Sequence, residues 1–294
     1  MPRQCRGFDT LPRAAQHRSQ RKGARVTQHE TYSHGHAPAV VRHHAQRTAE
    51  EAAAFLIPDL QPGMRLLDVG CGPGSITRGL AERLAPGQVI GIDMSRDTLD
   101  EARRDAAARG LTNLDYREES VYAMSFPDGA FDVVYAHQIL QHLRERATAL
   151  GEMLRVLRPG GILAVRDVDW ETVAYWPPDP WLDRYVDVHL RTWRRNGGEP
   201  AMGRRLRALF NEAGVADVRI TARVWCYATP EETTAWGESY ANRLLTASMG
   251  SLPVEYGFAS RADIEAMAAA FRAWAAHPDA LWSFTHVEAL GRKA

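Results

Sequence analysis

Residues 66–77 read LLDVGCGPGSIT and crowd Gly70, Gly72 and Gly74 into a turn between an apolar run and a helical pattern. Glycines at this density let a backbone take up left-handed turns and approach a ligand closely. The dinucleotide fingerprint G-x-G-x-x-G follows a strand in the same way and seats a pyrophosphate on a helix N-terminus. Here Ser75 stands where the third fingerprint glycine would be, and Asp68 precedes the turn. A carboxylate at that point repels a pyrophosphate, so both residues disfavour a nicotinamide oxidoreductase. It suits a ligand with positive charge, while the open N–H groups of the turn can receive a carboxylate. S-adenosylmethionine has an ammonium, a sulfonium, one carboxylate and no phosphate. Asp93 follows Gly74 by nineteen residues, in VIGIDMS, the position from which an acidic residue binds ribose hydroxyls in such folds.

Groups able to move a proton lie further along. His137 and Gln138 end a predicted strand, where ligands of doubly wound sheets bind, and an imidazole with a pKa near ~6.5 can take a proton there. The other reading of His137 is a histidine that caps the strand or touches the cofactor. Gln138, Gln141 and His142 fall at i, i+3 and i+4 of a predicted helix and so share one face, with His142 expected at the rim of the site. Asp167 and Asp169 end the next strand as a second acid–base candidate, one of them available to pair with an arginine. His34, His36, His43 and His44 invite a metal reading. Their spacing is not that of a helical zinc pair, and no cysteine or carboxylate completes a set. No metal is expected.

These residues need elements to hold them. Apolar positions recur with helical period over residues 38–57. Strands are then expected at Met64–Gly70, Val89–Asp93, Leu114–Arg117, Phe131–Ala136 and Gly161–Asp167, with helices from Ser75, from Arg96 and from Gln138 to Leu157. Short apolar strands alternating with amphipathic helices read as βαβ units on a parallel sheet buried on both faces. After Asp167 the pattern changes: residues 168–200 are rich in Trp and Pro and show no obvious strand. Helix 201–213 and a strand near 217–227 resume. Thr229, Pro230 and Glu232 then form a helix start with N-cap, first-position proline and a glutamate three after the cap. Further helical pattern runs from Arg261 to Ala276, and Trp282–Leu290 reads as a last strand. The chain thus divides into a basic arm and lid entry (1–36), a Rossmann-like core (37–168, completed by 201–228 and 281–294) and a helical cap (169–200 and 229–280).

Composition bounds the function. The 294 residues carry 36 Lys+Arg against 36 Asp+Glu, a balance without the field that nucleic acid binding requires. No run reaches the ~20 apolar residues of a membrane helix, and the first thirty residues hold no apolar h-region of a secretory signal. Three scattered cysteines, Cys5, Cys71 and Cys226, favour a reducing compartment, hence a cytoplasmic protein. Residues 1–25 hold seven basic residues against Asp9 alone. They read as a solvated tail, or as an arm through which a homo-oligomer forms.

The segments DVGCGPG, GIDMS, SFPDGAFDVV and EMLRVLRPGGILAV, in that order over roughly residues 40–168, resemble the class I S-adenosylmethionine-dependent methyltransferases of the ubiquinone/menaquinone type. The resemblance implies a Rossmann-like fold and a cofactor site in which Asp68 and Gly70, Gly72 and Gly74 hold the methionine moiety, Asp93 the ribose and Met94 the adenine face. It also implies a lid helix entered by Tyr32, with His137 and Gln138 beside the methionine moiety. The family usually places an aspartate before its SFPD-like segment to contact the adenine amino group. Ser120 stands there in this chain, able to accept that bond as a neutral group, with the Val121 N–H beside it. All eight tryptophans lie between Trp170 and Trp282, so Asp169, Trp170, Trp176 and Trp181 are expected to line an acceptor pocket suited to a large, flat or prenylated molecule. The implied activity is methyl transfer to a small, largely apolar or aromatic metabolite on O, N or C. The alternatives are C-methylation of a prenyl double bond, its cation held by tryptophan faces, and a cofactor-binding cyclase or pseudoenzyme.

Overall fold

A computed structural model describes residues 47–294. The first described helix, α1 (Ala49–Ala52), is capped by Thr48, whose hydroxyl accepts the Glu51 N–H at 3.3 Å. The helical period expected over 38–57 ends early: after Ala53 the chain turns into a 3-10 segment, Ile57–Asp59. Pro58 disfavours an α-helical residue before it. Strands β1 (Leu66–Val69), β2 (Val89–Asp93), β3 (Leu114–Glu118) and β4 (Phe131–His137) alternate with α2 (Ser75–Leu84) and α3 (Arg96–Ala108). All four residues of β1 are buried, as a strand sandwiched between helices requires.

The helix expected from Gln138 forms only as α4 (Arg146–Val156). Gln138 has a left-handed φ of 55°, and its N–H donates to the Arg166 carbonyl at 2.7 Å. The chain leaves β4 in a tight turn, so Gln138, Gln141 and His142 do not share a helix face.

A second departure is β5, which runs from Leu157 to Trp176 through the stretch where no strand was evident. It pairs antiparallel with β7 (Leu281–Lys293), from Ile162↔Arg292 to Trp176↔Leu281, with a register shift between Asp169 and Ala174. The partner that keeps it extended lies more than a hundred residues away, beyond the reach of local pattern. Strand β6 (Val215–Tyr227) pairs with β7 and closes a seven-stranded sheet of order β3-β2-β1-β4-β5-β7-β6. The sheet is parallel from β3 to β5 and antiparallel beyond, a Rossmann-like doubly wound fold.

One face packs Val134, Ala136, Leu163 and Val165 under α4 and α6 (Met202–Glu212); the other packs Tyr135, Ala164 and Leu290 under α1 and α2. Helices α5 (Pro180–Arg195), α7 (Pro230–Thr246), α8 (Ser248–Glu255) and α9 (Arg261–Ala275) gather on the far ends of β5 and β7. The helix start at Thr229 carries a complete capping box with Glu232.

Trp170, Trp193, Trp236, Trp274 and Trp282 are each at most 5% exposed, packed in one core with Tyr185, Tyr240, Phe271 and Phe284. Trp170 lies 4.9 Å from Phe284 in a near-parallel stack. The expected tryptophan pocket is therefore largely the hydrophobic core of the cap. Trp176 and Trp181 are exposed, and Trp176 stands ten residues beyond Arg166 on β5, about 30 Å at ~3.3 Å per residue. They do not share the buried setting of Trp170.

Candidate active site

The turn after β1 is built on three left-handed glycines, Gly70, Gly72 and Gly74, with φ of 71°, 53° and 72°. At two of them space as well as conformation demands glycine. A Cβ on Gly70 would lie 2.4 Å from Ile139 Cδ1, and one on Gly74 would lie 2.1 Å from the Tyr116 hydroxyl. Gly72 differs: nothing stands within 4 Å of its Cβ position, so the turn leaves a cradle on that side. Asp68, at the end of β1, is buried and accepts the Thr77 hydroxyl at 2.6 Å. Burial pushes its carboxyl up to about 7, and the nearby Asp93 carboxylate adds to the rise while Thr77 opposes it. Asp93 links the turn to β2 by accepting the Gly72 N–H at 3.0 Å on one oxygen and the Ser95 N–H at 2.9 Å on the other.

Beside Asp93, Met94 is 66% exposed, a free apolar surface at the strand end. Strand β3 ends in register with Asp93 and leads to half-buried Ser120 and buried Val121. The Ser120 hydroxyl accepts the Tyr122 N–H at 3.3 Å, and the Glu119 carboxylate accepts the Ser125 N–H at 2.9 Å. Sequence reasoning missed what holds this loop. Arg155 of α4 donates to the carbonyls of Phe126 and Met124 at 2.7 and 2.9 Å, and to Asp128 and Glu152. Glu152 in turn accepts the Met124 N–H at 3.1 Å.

At the end of β4, His137 is buried in register with Arg166 of β5 and lies 6.3 Å, ring to ring, from His286 of β7. Gln138 Nε2 meets His286 Nε2 at 2.5 Å. His142 is half-buried and stacks on Trp193 at 5.0 Å; desolvation, with His189 nearby, pulls its pKa down to about 3. Asp167 points to the other face of the sheet, where burial raises its carboxyl well above the ordinary range. Asp169, expected in the acceptor pocket, is gripped by both arms of Arg204 of α6, at 2.5 and 2.9 Å. That ion pair makes it a tie between β5 and α6. Arg166, Trp225 and His286 were also missed. Only Arg166 left a sequence signal, a charge inside the apolar run GILAVRDV. Tyr32 and His34, His36, His43 and His44 lie outside the described residues. Among the described residues no cluster of potential ligands fits a metal, and no helix is long and apolar enough to cross a membrane.

Residues 60–214 match the model of a methyltransferase domain, over half of the chain. The chain belongs to this methyltransferase family. It is 33% identical over 213 residues to an uncharacterized methyltransferase of Schizosaccharomyces pombe, covering 70% of this chain and 76% of that one. A demethylmenaquinone methyltransferase of Thermus thermophilus is 39% identical over 116 residues, which is 40% of this chain and 49% of the relative. In fold, the methyltransferase resembles Haemonchus contortus phosphoethanolamine N-methyltransferase 2 in complex with S-adenosyl-L-methionine. There the TM-score is 0.51 at 17% identity, with 83% of this chain and 52% of that one covered. These likenesses give the cyclase and pseudoenzyme readings no support.

S-adenosylmethionine is the cofactor, and the donor set fits it. The cradle at Gly72 would take a chain that a Cβ would obstruct, and the Asp68 carboxyl would be the partner for an ammonium. Asp93 would present acceptor oxygens to a ribose diol, and exposed Met94 an apolar cover. When bound, the cofactor supplies an electrophilic methyl group.

Proposed function

We propose that the methyltransferase methylates a small organic acceptor of a biosynthetic pathway in the cytoplasm, on O, N or an electron-rich carbon, with His137 beside the acceptor as proton acceptor. The observation that carries this reading is the burial of His137 at the carboxyl end of β4, next to the glycine turn's strand and in register with Arg166. Methyl transfer to such an acceptor is an in-line displacement, in which positioning supplies most of the effect. A base is needed only when the acceptor holds its proton, and then contributes about 10²–10⁴-fold. Trp225 lies 6.4 Å from the His137 ring, whereas Trp170, Trp193 and Trp236 are packed in the core of the cap. The demethylmenaquinone relative supports a biosynthetic acceptor.

The test begins with methyl-labelled S-adenosylmethionine and the small-molecule fraction of a cell extract. Label is expected in a low-molecular-mass product. With that acceptor, His137→Ala should lower turnover by about a hundredfold or more with little change in S-adenosylhomocysteine affinity. A loss under about tenfold removes His137 from the proton-accepting role.

A further inference from the structure

Beyond His137, the same sheet face carries a second buried group of donors. Arg166 is 0% exposed in the middle of β5. Its Nη1 reaches the Glu51 carbonyl at 3.4 Å, while Nε and Nη2 have no hydrogen-bond partner among the described residues. Glu288, its register partner on β7, comes no closer than 3.6 Å to Arg166 and the same distance to Arg223. Its other oxygen is taken by the Thr221 hydroxyl at 2.6 Å.

The Arg166 guanidinium lies 4.9 Å from the ring of Trp225, whose buried Nε1–H likewise has no hydrogen-bond partner among the described residues. Trp225 in turn lies 4.1 Å from His286, which is 0% exposed and whose Nδ1 has no hydrogen-bond partner among the described residues either. With Gln138 Nε2 donating to His286 Nε2, the imidazole is neutral and carries its proton on Nδ1. Arg47 lies 5.6 Å from the other members' shared ring, Trp225, and adds positive charge.

Buried polar groups are ordinarily paired, because an unmet donor keeps its full desolvation penalty. Three neighbouring side chains with unmet donors, beside one carboxylate shared by two guanidiniums, make a locus rich in donors and in positive charge. It adjoins His137, so it lies on the acceptor side of the site. We propose that this locus is the anchor for an anionic acceptor: a carboxylate of the substrate is held by Arg166, Trp225 and His286, and the acceptor is a small organic acid. This deepens the proposed function and rests on its placement of the acceptor beside His137. The planar fork of arginine matches a carboxylate with two hydrogen bonds, and the indole N–H adds a donor of fixed direction.

The test uses the full chain saturated with S-adenosylhomocysteine, titrated calorimetrically with matched acids and amides: acetate and acetamide, benzoate and benzamide, succinate and succinamide. At least one acid is expected to bind tenfold or more tightly than its amide. Trp225→Phe, which removes one N–H and keeps an aromatic ring, should cut that preference at least threefold, and Arg166→Lys should abolish it. S-adenosylhomocysteine affinity should stay within twofold in both. Circular dichroism checks folding, and where Arg166→Lys does not fold, His286→Gln replaces it with the same expectation as Trp225→Phe. The proposal is overturned if no acid is preferred over its amide, or if the preference survives in every folded variant. Loss of S-adenosylhomocysteine binding by the unaltered protein would instead count against the cofactor site and the function built on it.

Discussion

The protonation of Asp68 would act in opposite directions on folding and on the binding of an ammonium ligand. Its burial raises the carboxyl to about 7, so at neutral pH roughly half the molecules hold it protonated, whereas an ammonium ligand requires the carboxylate. Affinity for S-adenosylhomocysteine should therefore rise by roughly five- to tenfold from pH 6 to pH 7.5 and release a proton on binding. A flat pH profile by calorimetry would remove Asp68 from the ligand. The linkage to stability has the opposite sign. The folded state keeps a proton that the unfolded chain releases near pH 3.8, so this group's contribution is lost as pH rises from about 4 through 7. Asp68→Asn should accordingly raise the Tm of the unliganded protein at pH 8 while abolishing cofactor binding. At Gly72 the left-handed φ costs a β-branched residue about 1–2 kcal/mol, and the added side chain enters the open cradle. Gly72→Val should remain folded, with native circular dichroism, and lose S-adenosylmethionine. Asp93→Ala gives up hydrogen bonds to a charged group, each worth about 1.5–3 kcal/mol, and should weaken the cofactor by about 10–100-fold by calorimetry.

Among the elements, α4 holds the loop that follows β3. Arg155 fastens the carbonyls of Met124 and Phe126, and the loop they belong to carries Ser120 and Val121. Arg155→Ala should weaken S-adenosylhomocysteine by several-fold, with faster hydrogen exchange confined to residues 119–130. Unchanged exchange there would mean that the loop is held by its own packing. The turn at Gln138 is the other element-scale device. A non-glycine residue at φ 55° is costly, yet it swings the chain off β4 so that Gln138 meets His286. The helical spacing of Gln138, Gln141 and His142 was visible in the sequence, but the carbonyl of Arg166 that ends the pattern belongs to a neighbouring strand.

At the scale of the whole molecule, the far halves of β5, β6 and β7 carry the cap helices, so sheet and cap are continuous through the same strands. Trp170 decides between a pocket and a core. As a packed residue stacked on Phe284, Trp170→Ala should cost about 3–5 kcal/mol of stability, read as a lower denaturant midpoint. A pocket residue would raise KM and leave the midpoint in place.

The order of strands β1 to β4 and the glycine turn, with Asp68 and Asp93 towards the ends of β1 and β2, were legible in the chain itself. Their signals are local: a short apolar run, glycines where φ is positive, and an acid at a fixed distance along one βαβ unit. Tertiary structure alone decided the rest. The length of β5 depends on β7, the burial of the tryptophans on helices from two separated segments, and the bond from Asp169 to Arg204 on α6. The meeting of His137 with Arg166, Trp225 and His286 draws on four strands, from residue 131 to residue 293. Contacts made across a sheet perpendicular to the chain leave no periodicity along it, so composition could announce aromatic residues and charges but not which of them face one another.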